Sequence, residues 1–146
     1  MIRELRIEDK ALFISMVKDF YESEAVLHNI PIENTINTFN EINSSSPYIK
    51  GYLMEDQGEA AGYGLVSFTY SNEANGLVVL IEELYIRENF RGLGFGGKFI
   101  DFIIMEFSSQ AKRFRLELSK KNKSAEKLYL RKGFIPLEYN QMIYDL

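Results

Sequence analysis

Apolar and polar positions change period several times along the chain, and each change marks an element. Ile2 to Ile7 alternates apolar and charged residues, as a half-buried strand does. From Asp9 the period becomes helical. Leu12, Phe13, Met16, Val17, Phe20 and Tyr21 fall on one face of a helix running to about Glu24, with Asp9 as its N-cap. A loop over Val26 to Pro31 carries His28, and a more polar helix follows over Ile32 to Ile42. Asn43-Ser44-Ser45-Ser46-Pro47 then breaks the helical pattern.

Beyond that break the period is two. Tyr48 to Glu55 and Ala60 to Tyr70 read as strands joined by the turn Asp56-Gln57-Gly58, and Leu77 to Ile86 follows a second turn containing Asn75-Gly76. Two consecutive antiparallel connections are implied. Helical spacing returns over Gly96 to Phe107. A strand over Arg113 to Leu118 and a short helix over Asn122 to Lys132 come next, the helix closed by Gly133. Phe134 to Leu137 and Gln141 to Tyr144 read as a closing pair of strands. The order predicts an α/β (α+β) fold, a mixed and mostly antiparallel central sheet flanked by helices. With no linker or repeat, residues 1–146 form one domain.

Composition narrows the function. The 146 residues include 11 Phe and 9 Tyr, ample for a core, and no Cys, which removes disulfides, thiolate nucleophiles and Cys-based zinc sites. No metal site is expected. A net charge of −4 lacks the basic footprint of a nucleic-acid binder. No run approaches the ~20 apolar residues of a membrane span, and the strand-like N-terminus does not read as a signal peptide. The expectation is a cytoplasmic protein with no nucleic-acid or membrane partner.

The chemistry concentrates in Arg91-Gly92-Leu93-Gly94-Phe95-Gly96-Gly97, between a strand and a helix. A glycine turn opening a helix binds phosphate, because free N–H groups and about half a positive charge face the ligand. Gly92-x-Gly94-x-x-Gly97 matches the dinucleotide fingerprint, and Glu117 stands 20 residues beyond Gly97, where a ribose-binding acid is expected. Against an NAD(P)-dependent oxidoreductase stand the five residues between Ile86 and Gly92, the antiparallel approach to the turn, and the short remaining chain. A Walker A loop is absent.

Arg91-x-x-Gly94-x-Gly96 resembles the acetyl-CoA pyrophosphate loop of the GCN5-related N-acetyltransferase (GNAT) family. Ile81-Glu82-Glu83-Leu84-Tyr85-Ile86 resembles that family's fourth strand, and Asn122-x-x-Ala125-x-x-x-Tyr129-x-x-x-Gly133-Phe134 its second conserved block. The strong part of the resemblance covers Leu77 to Phe134. It implies acetyl transfer from acetyl-CoA to a primary amine by direct attack. The acceptor would be a small molecule or a peptide, and a homodimer is common for such folds. Arg91 to Gly97 would cradle the pyrophosphate. The segment Leu84-Tyr85-Ile86 would bond the pantetheine arm through its backbone. Asn122 and Ala125 would flank the arm from the other side, although Asn122 also reads as a helix N-cap. A non-catalytic CoA-binding domain is the other alternative.

Deprotonating the amine points to Glu82 and Glu83, acids in an otherwise apolar strand. Adjacent strand residues face opposite sides, so one acid is expected to face the cleft. By resemblance to the polyamine-acetylating branch of the family, Glu82 is favoured. It could attract the cation, orient a water, or have its pKa raised by burial; otherwise it pairs with a neighbouring cation. Tyr129 is the candidate general acid at the departing thiolate, against an alternative as a core tyrosine packed on Phe134. On the acceptor side, His28, Glu22 and Glu24 stand near the end of the first helix.

Overall fold

A computed structural model describes residues 1–146. Five strands form one sheet in the order β1-β2-β3-β4-β5. They are β1 (Ile2–Glu4), β2 (Ile49–Asp56), β3 (Glu59–Ser71), β4 (Gly76–Ile86) and β5 (Ala111–Leu116). The first four pair antiparallel, and only β4 and β5 run parallel. A parallel pair needs a crossover, and the helix α3 (Phe95–Phe107) supplies it. The expected mixed, mostly antiparallel sheet is therefore present.

Helices cover both faces. The helices α1 (Lys10–Tyr21) and α2 (Ile32–Ile42) pack Phe13, Met16, Val17, Phe20 and Phe39 against Leu53, Tyr63, Leu65 and Tyr85. On the opposite face α3 packs Phe99, Ile100 and Ile103 against Tyr52, Val66, Val79 and Ile81, with Tyr129 of α4 (Lys123–Arg131) and Phe134 at its margin. This alternation of buried sets along β3 and β4 is what a sheet covered on both sides requires.

Three expectations are corrected. The first strand stops at Glu4, and a single 3-10 turn over Ile7–Asp9 leads into α1. Asp9 gives α1 no side-chain cap; its oxygens are spent on Arg3 and on the Arg6 N–H. The closing strands over Phe134–Leu137 and Gln141–Tyr144 do not form. Residues 135–146 carry no regular structure and make no backbone hydrogen bond. Pro136 removes a ladder donor from the middle of the first segment, and β5 is left as an open edge.

The bulge in β4 has the largest consequence. Its register with β3 runs from Gly76↔Ser71 to Ile81↔Val66 and resumes at Glu83↔Leu65, so Glu82 is the extra residue. An extra residue reverses the alternation of faces. Ile81 belongs to the α3 side, whereas Glu83 and Tyr85 turn to the α1 side. Glu82 bonds Ser67, whose strand neighbour Leu65 and cross-strand partner Ile49 lie on that same side. Both acids thus share one face of the sheet, contrary to the expectation from regular alternation.

Candidate active site

β5 pairs with β4 only as far as Leu116↔Ile81. Beyond that point the two parallel strands separate, and residues 82–86 of β4 have β3 on one side and no strand on the other. The unpaired edge lines a cleft of about 820 Å³. Its walls bring together Leu84, Tyr85 and Ile86 of β4, the glycine turn, the start of α4 and the end of α1. An open strand edge beside a cleft is the geometry in which an extended ligand adds as a further strand through main-chain hydrogen bonds.

The glycine turn closes one end. Gly92 and Gly94 have φ of +77° and +83°, and neither has a neighbour within 4 Å of where a Cβ would stand. Left-handed backbone suits glycine, and here it turns the chain so that α3 begins at the cleft. Gly94 is the N-cap of α3 and, being glycine, offers no side-chain cap. The first helical N–H groups are left for a ligand, and the positive helix end favours an anion. Arg91, Gly92, Gly94, Phe95, Gly96 and Gly97 line the cleft, whereas Leu93 points out and is 57% exposed. The Phe95 ring is buried against Phe90, centroids 5.8 Å apart, which anchors the turn. Arg91 folds back and donates from Nε to the Ile86 carbonyl at 3.1 Å. That carbonyl retains a second lone pair for a ligand.

Across the cleft stands α4. Asn122 is its N-cap: its side-chain oxygen accepts from the Ala125 N–H at 3.2 Å. The Asn122 amide nitrogen has no partner within the protein, and both Asn122 and Ala125 line the cleft. The capping and ligand-facing readings of Asn122 are thus compatible. Tyr129 also lines the cleft and packs on Phe134, centroids 6.0 Å apart. Burial pushes its phenol up to about 12. A phenol this weakly acidic gives up its proton reluctantly, but it remains a good hydrogen-bond donor.

The acid pair differs in surroundings. Glu82 is exposed and accepts from Ser67 Oγ at 2.5 Å. Glu83 is enclosed: its two oxygens accept from Tyr21 at 2.7 Å and Tyr63 at 2.6 Å. Burial raises the Glu83 carboxyl above its ordinary range, the two phenols pull it back, and the charge of Glu82 pushes it up again. Neither acid lies in the cleft lining itself. Of the acceptor-side candidates Glu24 lines the cleft, while Glu22 and His28 do not. Glu117 is exposed and away from the cleft, so the dinucleotide reading loses its ribose acid. No three or more His, Cys, Asp or Glu side chains are grouped to hold a metal.

Sequence reasoning missed Tyr63 and Ser67 as partners of the acids, and took Tyr21 for a core residue. Tyr21 meets Glu83 across 62 residues of chain, a contact no local pattern announces.

The sheet, the split beside β5 and the glycine turn at the head of α3 define a mixed α/β fold with a cleft at the open edge of β4, and comparison with known proteins gives its family. The model of the acetyltransferase (GNAT) family matches residues 13–134, and the chain belongs to that family. Mouse (Mus musculus) thialysine N-epsilon-acetyltransferase is 29% identical over 137 residues, covering 88% of this chain and 79% of that protein. The structure of AAC(6')-Iy, in complex with the bisubstrate analogue CoA-S-monomethyl-acetylneamine, superposes with a TM-score of 0.82 at 17% identity, over 100% of this chain and 97% of that one. Glucosamine-6-phosphate N-acetyltransferase from Arabidopsis thaliana gives 0.73 at 24% identity, over 99% and 97%. Members of the family use acetyl-CoA, and acyltransferase activity goes with the family.

Proposed function

We propose that this chain is a single N-acetyltransferase domain that moves the acetyl group of acetyl-CoA to a primary amine by direct attack. The observation that carries the proposal is the unpaired edge of β4 leading to an uncapped helix N-terminus across one cleft. The pyrophosphate would sit on the N–H groups between Gly92 and Gly97, with Arg91 free to swing toward it. The pantetheine arm would run beside Leu84, Tyr85 and Ile86, with Asn122 and Ala125 opposite.

The amine must first lose a proton. An alkylammonium near pKa ~10.4 holds its proton against neutral water at a cost of roughly 4–5 kcal/mol. Glu82 is exposed on the bulge, so it suits two of the three roles open to it: attracting the ammonium and orienting a water. Tyr129 would donate a hydrogen bond to the developing thiolate. With its phenol near 12 against ~8.5 for a thiol, full transfer from a resting Tyr129 is uphill, and charge stabilisation is the safer assignment. The acceptor is a small molecule or peptide amine reached past Phe20, Ser23 and Glu24 at the end of α1. A cytoplasmic location and a homodimer are part of the same reading; no helix is long and apolar enough to cross a membrane.

A thiol-release assay with acetyl-CoA against a broad amine panel tests this directly. Turnover of at least one amine, with Glu82→Gln raising KM for a cationic acceptor and Tyr129→Phe lowering kcat about tenfold or more, is expected. Binding of acetyl-CoA with no amine consumed would instead favour a CoA-sensing domain.

A further inference from the structure

Glu83 is a carboxylate that the fold encloses without giving it a cation. None of the six ion pairs of the molecule includes it. A buried acid in this position is costly unless its charge is hydrogen-bonded or put to use. Its two donors come from different elements: Tyr21 is the last residue of α1, and Tyr63 lies in β3. Phe20 and Tyr85 form the cleft wall in front of this group and pack on it, Phe20 against Tyr21 at 5.3 Å and Tyr85 against Tyr63 at 5.9 Å. Glu83 is half-buried, and the next residues of its strand, Leu84 and Tyr85, line the cleft.

The charged and titratable groups around it are few. Tyr21 faces it from α1, Tyr63 from β3 and Glu82 from β4. Asp19 of α1 and the Tyr85 hydroxyl lie one step further, 3.5 Å apart. From α2 comes Phe39, packed on Phe13 and carrying no charge. The groups that act directly on the Glu83 carboxylate are thus two phenols and another acid, with Arg87 and Arg91 reaching only Tyr85, and the positive charge the site lacks is one that an ammonium would bring.

We propose that the Glu83 carboxylate, held between the hydroxyls of Tyr21 and Tyr63, takes up the proton released by the acceptor ammonium through a bridging water, and that these two tyrosines are positioning residues for it. The proposal rests on the acetyl-transfer reading. The ammonium passes one proton through the water to Glu83. The freed lone pair on nitrogen attacks the thioester carbonyl carbon, the C–N bond forms, and the C–S bond breaks with its electron pair on sulfur. The second proton lost from nitrogen ends on the sulfur, and Glu83 returns its proton to solvent. Each unit by which a carboxylate's proton affinity rises makes the first transfer tenfold easier, and the enclosed member of the pair gains that advantage from burial. The tyrosines oppose part of the gain but fix where both oxygens point, which proton transfer also requires.

The test is the pH dependence of kcat, at saturating acetyl-CoA and acceptor, for the wild type and for Tyr21→Phe, Tyr63→Phe, Glu83→Gln and Glu82→Gln. Losing a donor destabilises the ionised form, so each tyrosine variant should move the rising limb to higher pH by about one unit. Glu83→Gln should abolish the limb, and Glu82→Gln should keep the limb and move its midpoint slightly to lower pH, because the charge of Glu82 raises the Glu83 carboxyl. A carbon-13 titration of the Glu side chains in the protein without substrate should show the Glu83 carboxyl moving upward in Tyr21→Phe. A purely structural role for Tyr21 would lower the melting temperature and leave both the limb and the titration unmoved, which would overturn the proposal. So would a limb that only Glu82→Gln displaces. A wild-type chain that acetylates no amine sinks the acetyl-transfer reading together with this one, whereas an active chain with an unmoved limb sinks this one alone.

Discussion

Asp9 directs its carboxylate at the Arg3 guanidinium, at 2.7 and 3.0 Å, and also accepts from the Arg6 N–H at 2.8 Å. Arg3 in turn reaches Glu55 of β2 at 2.9 Å. These side chains are largely shielded, Asp9 at 8% and Arg3 at 17%. The hydrogen bonds from Arg3 hold the Asp9 carboxyl below its ordinary value against the opposing effect of burial. A depressed carboxylate contributes stability above its unfolded pKa of ~3.9 and loses it as pH falls through the folded value. Asp9→Asn should therefore lower unfolding stability by about 2 kcal/mol at pH 7, and the gap to wild type should close below about pH 4. Urea unfolding at the two pH values measures it. Gly64 is a second single-residue constraint. A Cβ there would fall on the Phe99 ring of α3, so Gly64→Ala should cost about 1–3 kcal/mol by overpacking. It should also disturb the helix that carries the glycine turn.

At the scale of elements, the site is made by two departures from regular structure. One is the left-handed pair Gly92 and Gly94 at the head of α3. A side chain is strained at Gly94, whose φ is +83°, by about 1 kcal/mol or more. Gly94→Ala should weaken acetyl-CoA binding about tenfold with near-native circular dichroism, as calorimetry would show. The other departure is the bulge at Glu82. Replacing Glu82 by Ala keeps the extra residue, while deleting Glu82 removes the bulge and leaves Ile81, Glu83, Leu84 and Tyr85 in regular alternation on the faces they already occupy. The deletion should therefore preserve the fold, and a thermal unfolding midpoint close to that of Glu82→Ala would show it. The first departure was legible in the sequence, because glycines announce positive φ. The second was not. Leu77 to Ile86 reads as one continuous apolar strand, and nothing in Ile81-Glu82-Glu83-Leu84 marks where the ladder skips a residue. The mixed, mostly antiparallel sheet, the four helices and the buried face of α1 followed from periodicity and turn signals. The shared face of the two acids, and the tyrosines that enclose one of them, depend on contacts across 20 and 62 residues that periodicity does not contain.

For the molecule as a whole, the C-terminal segment is where pattern and packing part. Met142 and Ile143 are 95% and 86% exposed, and Ile135 is 85% exposed. The segment touches the body through the Tyr139 hydroxyl, which donates to Glu73 at 2.9 Å beside the exposed Arg113–Glu73 pair. One exposed hydrogen bond of this kind contributes at most about 1 kcal/mol, and the segment adds no backbone hydrogen bonds. Deleting residues 138–146 should then change the unfolding free energy by less than about 1 kcal/mol. The denaturant m-value should stay nearly constant, because m follows the surface newly exposed on unfolding and these side chains are already exposed. A marked fall in m would mean that the segment is packed in solution. The same deletion removes a run of exposed apolar residues next to the open edge of β5, the combination that favours association between copies. Sedimentation should accordingly show less concentration-dependent self-association for the shortened chain than for the full one, with acetyl-CoA binding unchanged, since residues 138–146 line no part of the cleft.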